Sequence, residues 1–342
     1  MSDPTFGILE GAVPPQTNPH LFGHQHAEDF LAGFYRSGRS HHAILVEGPE
    51  GIGKATLAFR FANHVLSHPD PATAPAHLEA PDANSSVSRQ IASGASHNLL
   101  HLTRPVDEKS GKVKTAITVD EVRRAGHFFS QTSGTGNWRI VIIDPADDLN
   151  RNAANAILKI LEEPPKRSLF LVLSHAPGKL LPTIRSRCLP LKLSPLNDED
   201  LSSALSALRL PLDGGRSGQE VLSAANGSVA QALKLKNYGG LEIITAFADI
   251  LSSSGPAARK AMHRLADVLS AKDNDVVFGF FLEHLSDSLL ARARDAAFSG
   301  DLAGADRVSR LASQITERIG VSQAYNLDRK QTILSLLEDV AR

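Results

Sequence analysis

The stretch Ala43-Ile44-Leu45-Val46-Glu47-Gly48-Pro49-Glu50-Gly51-Ile52-Gly53-Lys54-Ala55-Thr56 decides how the rest of the chain is read. Ala43 to Glu47 is a compact apolar run closed by a glycine turn, the pattern of a buried strand. After Lys54, the apolar residues Leu57, Phe61 and Val65 recur every four positions, which predicts one face of a helix. The loop between them matches G-x-x-x-x-G-K but has Ala55 where Ser or Thr belongs. Strand, loop and helix in that order aim backbone N–H groups and a helix N-terminus at one point, where they can cradle phosphate with Lys54 reaching its terminal oxygens. Gly48, Gly51, Gly53, Lys54 and Thr56 are therefore candidate nucleotide-binding residues. The hydroxyl missing at Ala55 is the one that ordinarily ligates Mg²⁺. Thr56 does not simply replace it, because one helical residue is a rotation of about 100°.

Downstream, the same alternation repeats. Leu99 to Thr103 is a short strand candidate, a loop or hairpin runs through Ser110 and Gly111, and a helix is expected from Val119 to Gln131. Arg139 to Ile143 is continuous and β-branched, as in a strand covered on both faces of a parallel sheet. Asn152 to Glu163 reads as a helix stopped by Pro164 and Pro165, Leu169 to Leu173 as a buried strand, and Leu189, Leu191 and Leu193 as a shorter one. Strands alternating with helices predict a doubly wound α/β domain. Ahead of it, residues 1–18 read as an irregular arm, and His26 to Tyr35 as a short helix. Within it, Ser67 to Ser96 holds Pro69, Pro71, Pro75 and Pro81 among small polar residues, a composition expected to sustain neither helix nor sheet. Beyond Ser194 helical patterns dominate; Val308, Leu311, Ile315 and Ile319 mark one amphipathic face, and Ile333, Leu336, Leu337 and Val340 another.

Composition bounds the function. With 342 residues the chain exceeds one ordinary domain; 42% are hydrophobic and 21% charged, the balance of a globular protein. A net charge of −1 supplies no global positive field for nucleic acid, so any such contact is a local patch or belongs to a partner. One cysteine, Cys188, excludes an internal disulfide and a cysteine zinc site, and fits a reducing compartment. No apolar run approaches a membrane span and residues 1–20 carry no signal-like core, so a cytoplasmic protein is expected. His41 with His42, and His97 with His101, lack a third partner at metal spacing, and no metal is expected.

Two further positions carry chemistry. The strand Arg139–Ile143 ends in Asp144, placed to work beside the phosphate loop, but Pro145 stands where a hydrolysing enzyme carries the Glu that activates water. Asp144 joins the candidate nucleotide site, with a turn or helix cap as the alternative. Pro182-Thr183-Ile184-Arg185-Ser186-Arg187-Cys188 presents two arginines at the domain edge. A guanidinium there can fork onto phosphate in a neighbouring subunit, or simply pair with a local carboxylate.

In their order, these segments resemble the AAA+ clamp-loader family, and within it the delta-prime-like branch. The resemblance is carried by Leu21-Phe22-Gly23-His24, the phosphate loop, Val119-Asp120-Glu121-Val122-Arg123 and Asp144-Pro145-Ala146-Asp147-Asp148-Leu149-Asn150. Ala153 to Lys159, Leu161-Glu162-Glu163-Pro164-Pro165 and Ser186-Arg187-Cys188 complete it. It implies an AAA+ P-loop NTPase-like parallel-sheet domain over residues 19–194, a small helical lid over 195–240 and a helical collar over 241–342. It also implies a non-hydrolysing stator of a pentameric loader containing gamma/tau motor subunits and a delta subunit. Such a loader places a sliding clamp on primer-template DNA, with no membrane involved. Arg187 is then a finger in trans, and the chain's own site is degenerate: Ala55, Pro145 and Gln231 stand where active relatives have a hydroxyl, a Glu and an Arg. Weak ATP or ADP binding without catalysis is expected. The family's zinc module is replaced by the cysteine-free insertion over 67–96. The alternative is an active gamma/tau-like motor, which Lys54 and Thr56 favour.

Overall fold

A computed structural model describes residues 8–38, 41–107, 113–130, 137–272 and 274–341. The expected loop through Ser110 and Gly111 lies outside them. The residues divide into two compact units, 1–230 and 231–342. The sequence reading splits the helical half at 194/195 and 240/241; the structural division falls at 230/231 and groups the first helices of that half with the sheet.

The first unit runs α1 (Gln25–Arg36), β1 (Ala43–Glu47), α2 (Lys54–Ser67), α3 (Ser86–Ala92), β2 (Leu99–Leu102), α4 (Val119–Ser130) and β3 (Arg139–Ile143). It continues with α5 (Arg151–Glu162), β4 (Ser168–Ser174), α6 (Pro182–Arg185), β5 (Leu189–Lys192), α7 (Asp198–Ala207) and α8 (Arg216–Ala225). The five strands form one parallel sheet in the order β2-β3-β4-β1-β5. Side chains alternate across it, so each strand serves two cores. Ile44, Val46, Ile140, Ile142, Leu169 and Leu171 meet Leu57, Phe61 and Val65 of α2 on one face. Leu45, Val141, Ile143, Phe170 and Val172 meet Ala153, Ile157 and Leu161 of α5 on the other. Pro190 lacks an amide donor and lies in β5, an edge strand, where that loss costs least.

One expectation is overturned. The Pro-rich stretch does sustain a helix: α3 is capped by Ser85, whose Oγ accepts the Ser88 amide at 3.1 Å. All four prolines precede Pro81 or stand at it, leaving Val87 and Ile91 free to make an apolar i, i+4 face. Ala74, Leu78 and Ile91 are buried in the α2 core. The segment is fastened by Asn63 to Ser88 (2.8 Å) and by Trp138 Nε1 to the Pro69 carbonyl (3.2 Å).

The second unit is helical. α9 (Val229–Asn237) crosses the division, and α10 (Gly240–Ser252), α11 (Gly255–Ser270), α12 (Asp275–Phe298), α13 (Leu302–Ala324) and α14 (Arg329–Ala341) follow. α12 and α13 form an antiparallel hairpin. Phe247 and Phe281 meet edge to face at 5.7 Å, and Ile333, Leu336, Leu337 and Val340 are buried as the periodicity predicts. No described helix is long and apolar enough to cross a membrane.

Trp138 is the chain's single tryptophan and belongs to the first unit, so its fluorescence reports that unit's unfolding. Phe170→Ala, which empties a fully buried ring site between β4 and its neighbours, is expected to lower the unit's stability by about 3–5 kcal/mol in a urea titration followed by Trp138.

Candidate functional site: the phosphate loop and the sheet edges

The loop leaves β1 at the C-terminal edge of the sheet, beside β4, and every carbonyl from Gly48 to Ile52 has a donor. Lys54 Nζ donates to Gly48 O at 2.7 Å and also to Pro49 O. Ser228 Oγ donates to Glu50 O (2.8 Å), the Val229 amide to Gly51 O (3.0 Å), and His24 Nε2 to Ile52 O (2.6 Å). The backbone N–H groups of Gly51 to Thr56, by contrast, donate to no described residue. Carbonyls turned into the protein and amides left over make a nest for an anion, completed by the N-terminus of α2. Gly51 is essential to this: at φ +75°, a Cβ there would lie 2.3 Å from Ala230 Cβ. Gly48 (φ +151°) and Gly53 (φ +108°) also hold conformations that side chains disfavour. Thr56 is buried in α2.

Three other strand ends bring charge to the loop. Lys54 is 4% exposed, and burial pushes its pKa down to about 8, against the pull of Asp144, Glu50 and Asp147. Burial alone raises the Asp144 carboxyl, but His101, His175 and Lys54 together hold it below the ordinary value, so it is ionised. His101 Nε2 lies 3.6 Å from Asp144 Oδ2. His175, directly after β4, is kept neutral by burial and by the Lys54 charge, and its Nδ1 is buried without a partner. His175 escaped the sequence reading, and His101 entered it only as a metal-ligand candidate; the signal for both is their place at the C-terminal ends of parallel strands, β4 beside β1 and β2 at the sheet edge.

The geometry offers donors for a phosphate, and few oxygens besides Asp144 for a magnesium ion. Position 55 offers no hydroxyl, and the acids after Asp144 are engaged. Asp147 accepts from Ser174 Oγ (2.8 Å), the His175 amide (2.6 Å) and the Ala176 amide (3.3 Å). Asp148 pairs with Arg104 at 3.1 Å. Pro145 itself carries neither acid nor amide. No cluster of metal-ligating side chains occurs among the described residues.

Arg187 lies elsewhere. Leu189 pairs in register with Ile44, at the start of β1, while Lys192 is level with Glu47, where the loop begins. Arg187 thus precedes the N-terminal edge of the sheet, separated from its own phosphate loop by at least about 10 Å of strand. Its Nη2 meets Glu162 Oε1 at 2.6 Å and its Nη1 donates to Thr183 O at 2.9 Å. The local-carboxylate pairing is therefore present in this chain. Arg185 is exposed, and Cys188 is buried with its thiol pushed up to about 12 by burial, a packing residue. Gln231 donates to Glu283 at 3.0 Å, as does Lys234 at 2.9 Å.

The family described as DNA polymerase III, delta subunit, matches residues 23–197, just over half of the 342 residues. The chain belongs to that family. It is 35% identical over 198 residues to DNA polymerase III subunit delta' of Pseudomonas aeruginosa, covering 58% of this chain and 56% of that protein. It is 26% identical over 299 residues to DNA polymerase III subunit tau of Escherichia coli, covering 86% of this chain and 43% of that one. The chain thus spans about half the length of these relatives. A gamma subunit-related structure from Thermotoga maritima aligns over 91% of this chain and 99% of its own with 17% identity and a TM-score of 0.39. The chain carries both the phosphate loop and the Ser186-Arg187-Cys188 segment.

Gly51→Ala is expected to cost about 1–3 kcal/mol in the same urea titration, because the Ala230 backbone and Ser228 crowd the new methyl group. Gly178→Ala, where nothing lies within 4 Å, is expected to change stability by less than about 0.5 kcal/mol.

Proposed function

We propose that this chain is the non-hydrolysing delta-prime subunit of a DNA polymerase III clamp loader, a stator that lends Arg187 in trans to the ATP of a neighbouring motor subunit. Its partners are then gamma/tau motor subunits and a delta subunit in a pentamer. Its work is loading a sliding clamp onto primer-template DNA in the cytoplasm. The observation that carries this reading is the missing base: Pro145 follows Asp144, and the next two carboxylates are held by Ser174, His175, Ala176 and Arg104. Water attack on a phosphate needs a group to orient and deprotonate the nucleophile, and none of these is free to do so.

The position of Arg187 supports the second half. A cation at the sheet edge opposite the phosphate loop cannot serve its own site, but it can face another protomer's phosphate. The always-charged fork of arginine suits that task. The Glu162 contact is exposed enough to exchange for phosphate, since exposed ion pairs contribute little.

Retention of Lys54 and the amide nest supports weak nucleotide binding without turnover, and it is also what favours the gamma/tau-like reading. Sustained ATP hydrolysis by the purified chain, abolished by Lys54→Met, would establish the motor instead. Under the stator reading the isolated chain shows no turnover. ADP binding, measured by calorimetry, weakens about tenfold between pH 7 and pH 9 as Lys54 loses its proton near pH 8. Lys54→Met removes that pH dependence.

Arg187→Ala in a loader reconstituted at full stoichiometry is expected to lower ATPase activity by about 10³-fold or more at the site it faces while leaving assembly intact. Unchanged turnover in that complex would remove Arg187 from the mechanism.

A further inference from the structure

Several helix arginines in this chain stand beside acids one turn away. Arg123 pairs with Asp120 (2.6 Å) and Arg124 with Glu121 on α4, Arg216 with Glu220 (3.0 Å) on α8, and Arg310 with Asp306 (2.8 Å) on α13. α11 gathers several cations without such partners on one face. Its inward stripe, Ala258, Met262, Leu265, Ala266 and Leu269, is buried in the second unit. Its outward stripe carries Arg259, Lys260, His263 and Arg264, all exposed, and none makes a hydrogen bond or ion pair with any described residue. No acidic side chain of α10, α12 or α14 reaches them. The one acid on the helix, Asp267, is taken by Lys330 of α14.

This arrangement works against the helix. Lys260 and Arg264 are like charges at i, i+4, and Arg259 and His263 add to the same side. A helix that needed only solvation would interleave Glu. Local choices that oppose local stability mark surfaces with another use. Between the cations lie Ala257 and Ala261, and the exposed large apolar side chain in line with them is Val268, one turn beyond Arg264; the face carries no aromatic anchor of a protein–protein contact. What it offers is concentrated positive charge with two forked guanidiniums.

We infer that the outward face of α11 is a binding surface for the phosphate backbone of nucleic acid, formed by Arg259, Lys260 and Arg264 and reading no sequence. It is the local patch that a chain of net charge −1 requires for such a contact. It depends on neither the phosphate loop nor Arg187.

The test is fluorescence anisotropy of the full chain with a labelled DNA duplex of about 30 base pairs across a salt series. The intact chain is expected to bind weakly, with affinity falling steeply as salt rises. The variant R259A/K260A/R264A is expected to lose at least about tenfold in affinity at low salt, and its log–log salt slope should shrink by about 2–3, near 0.9 per lost phosphate contact. R36A/K159A/K192A removes the same charge from dispersed sites of the first unit and is expected to keep both. The α11 variant should also melt no lower than the intact chain, because repulsion is relieved and alanine favours helix. Equal losses in the two triple variants would reduce the effect to net charge and overturn the assignment. So would polyglutamate of matched charge binding more tightly than the duplex and being released by the α11 variant.

Discussion

The first unit is organised around the way one loop divides its backbone polar groups. From Gly48 to Ile52 each carbonyl is committed to Lys54, Ser228, Val229 or His24, and the amides from Gly51 onward are left over. Buried backbone groups demand partners, so such a loop is stable only if donors arrive from outside it. α2 supplies Lys54, the start of the fold supplies His24, and residues 228 and 229 arrive from beyond β5. The glycine at 51 is the steric condition for the last of these.

That division separates what binding an anion needs from what the proposed loss of hydrolysis removes. Binding an anion needs only amides, a helix terminus and an ammonium, all present. Splitting a phosphate bond needs in addition a metal ligand and a base, and here Ala55 and Pro145 occupy those positions. Asp147 adds to the effect: its carboxylate fastens the end of β4, which makes it a structural acceptor. Arg187 is the counterpart on the opposite sheet edge, a cation with one exposed acid and one carbonyl to hold it. Such a group is oriented without being consumed.

Much of the first unit was legible because its signals are local. β1 and β3 have the limits their apolar runs predict, and α2 and α5 follow their i, i+4 spacing. Lys54, the glycines and Asp144 were legible for the same reason, since one turn of chain fixes their relation. The contacts that complete the site were not legible. Ser228 meets Glu50 across 178 positions, and His175 reaches the Lys54 neighbourhood only because β4 lies next to β1 in the sheet. The insertion was misread for a different reason: four prolines dominated its composition, although Ser85, Val87 and Ile91 after them spell a capped, one-sided helix. The Glu162–Arg187 pair joins α5 to the approach of β5, and sequence could name both outcomes for Arg187 without choosing between them.

The measurement that bears most directly on the stator reading is a structure of the assembled loader with a non-hydrolysable triphosphate in the motor subunits. It is expected to find the Arg187 guanidinium released from Glu162 and within hydrogen-bond reach of a terminal phosphate oxygen on the adjoining protomer. An Arg187 still paired to Glu162 and facing solvent, with every triphosphate served by other cations, would contradict it.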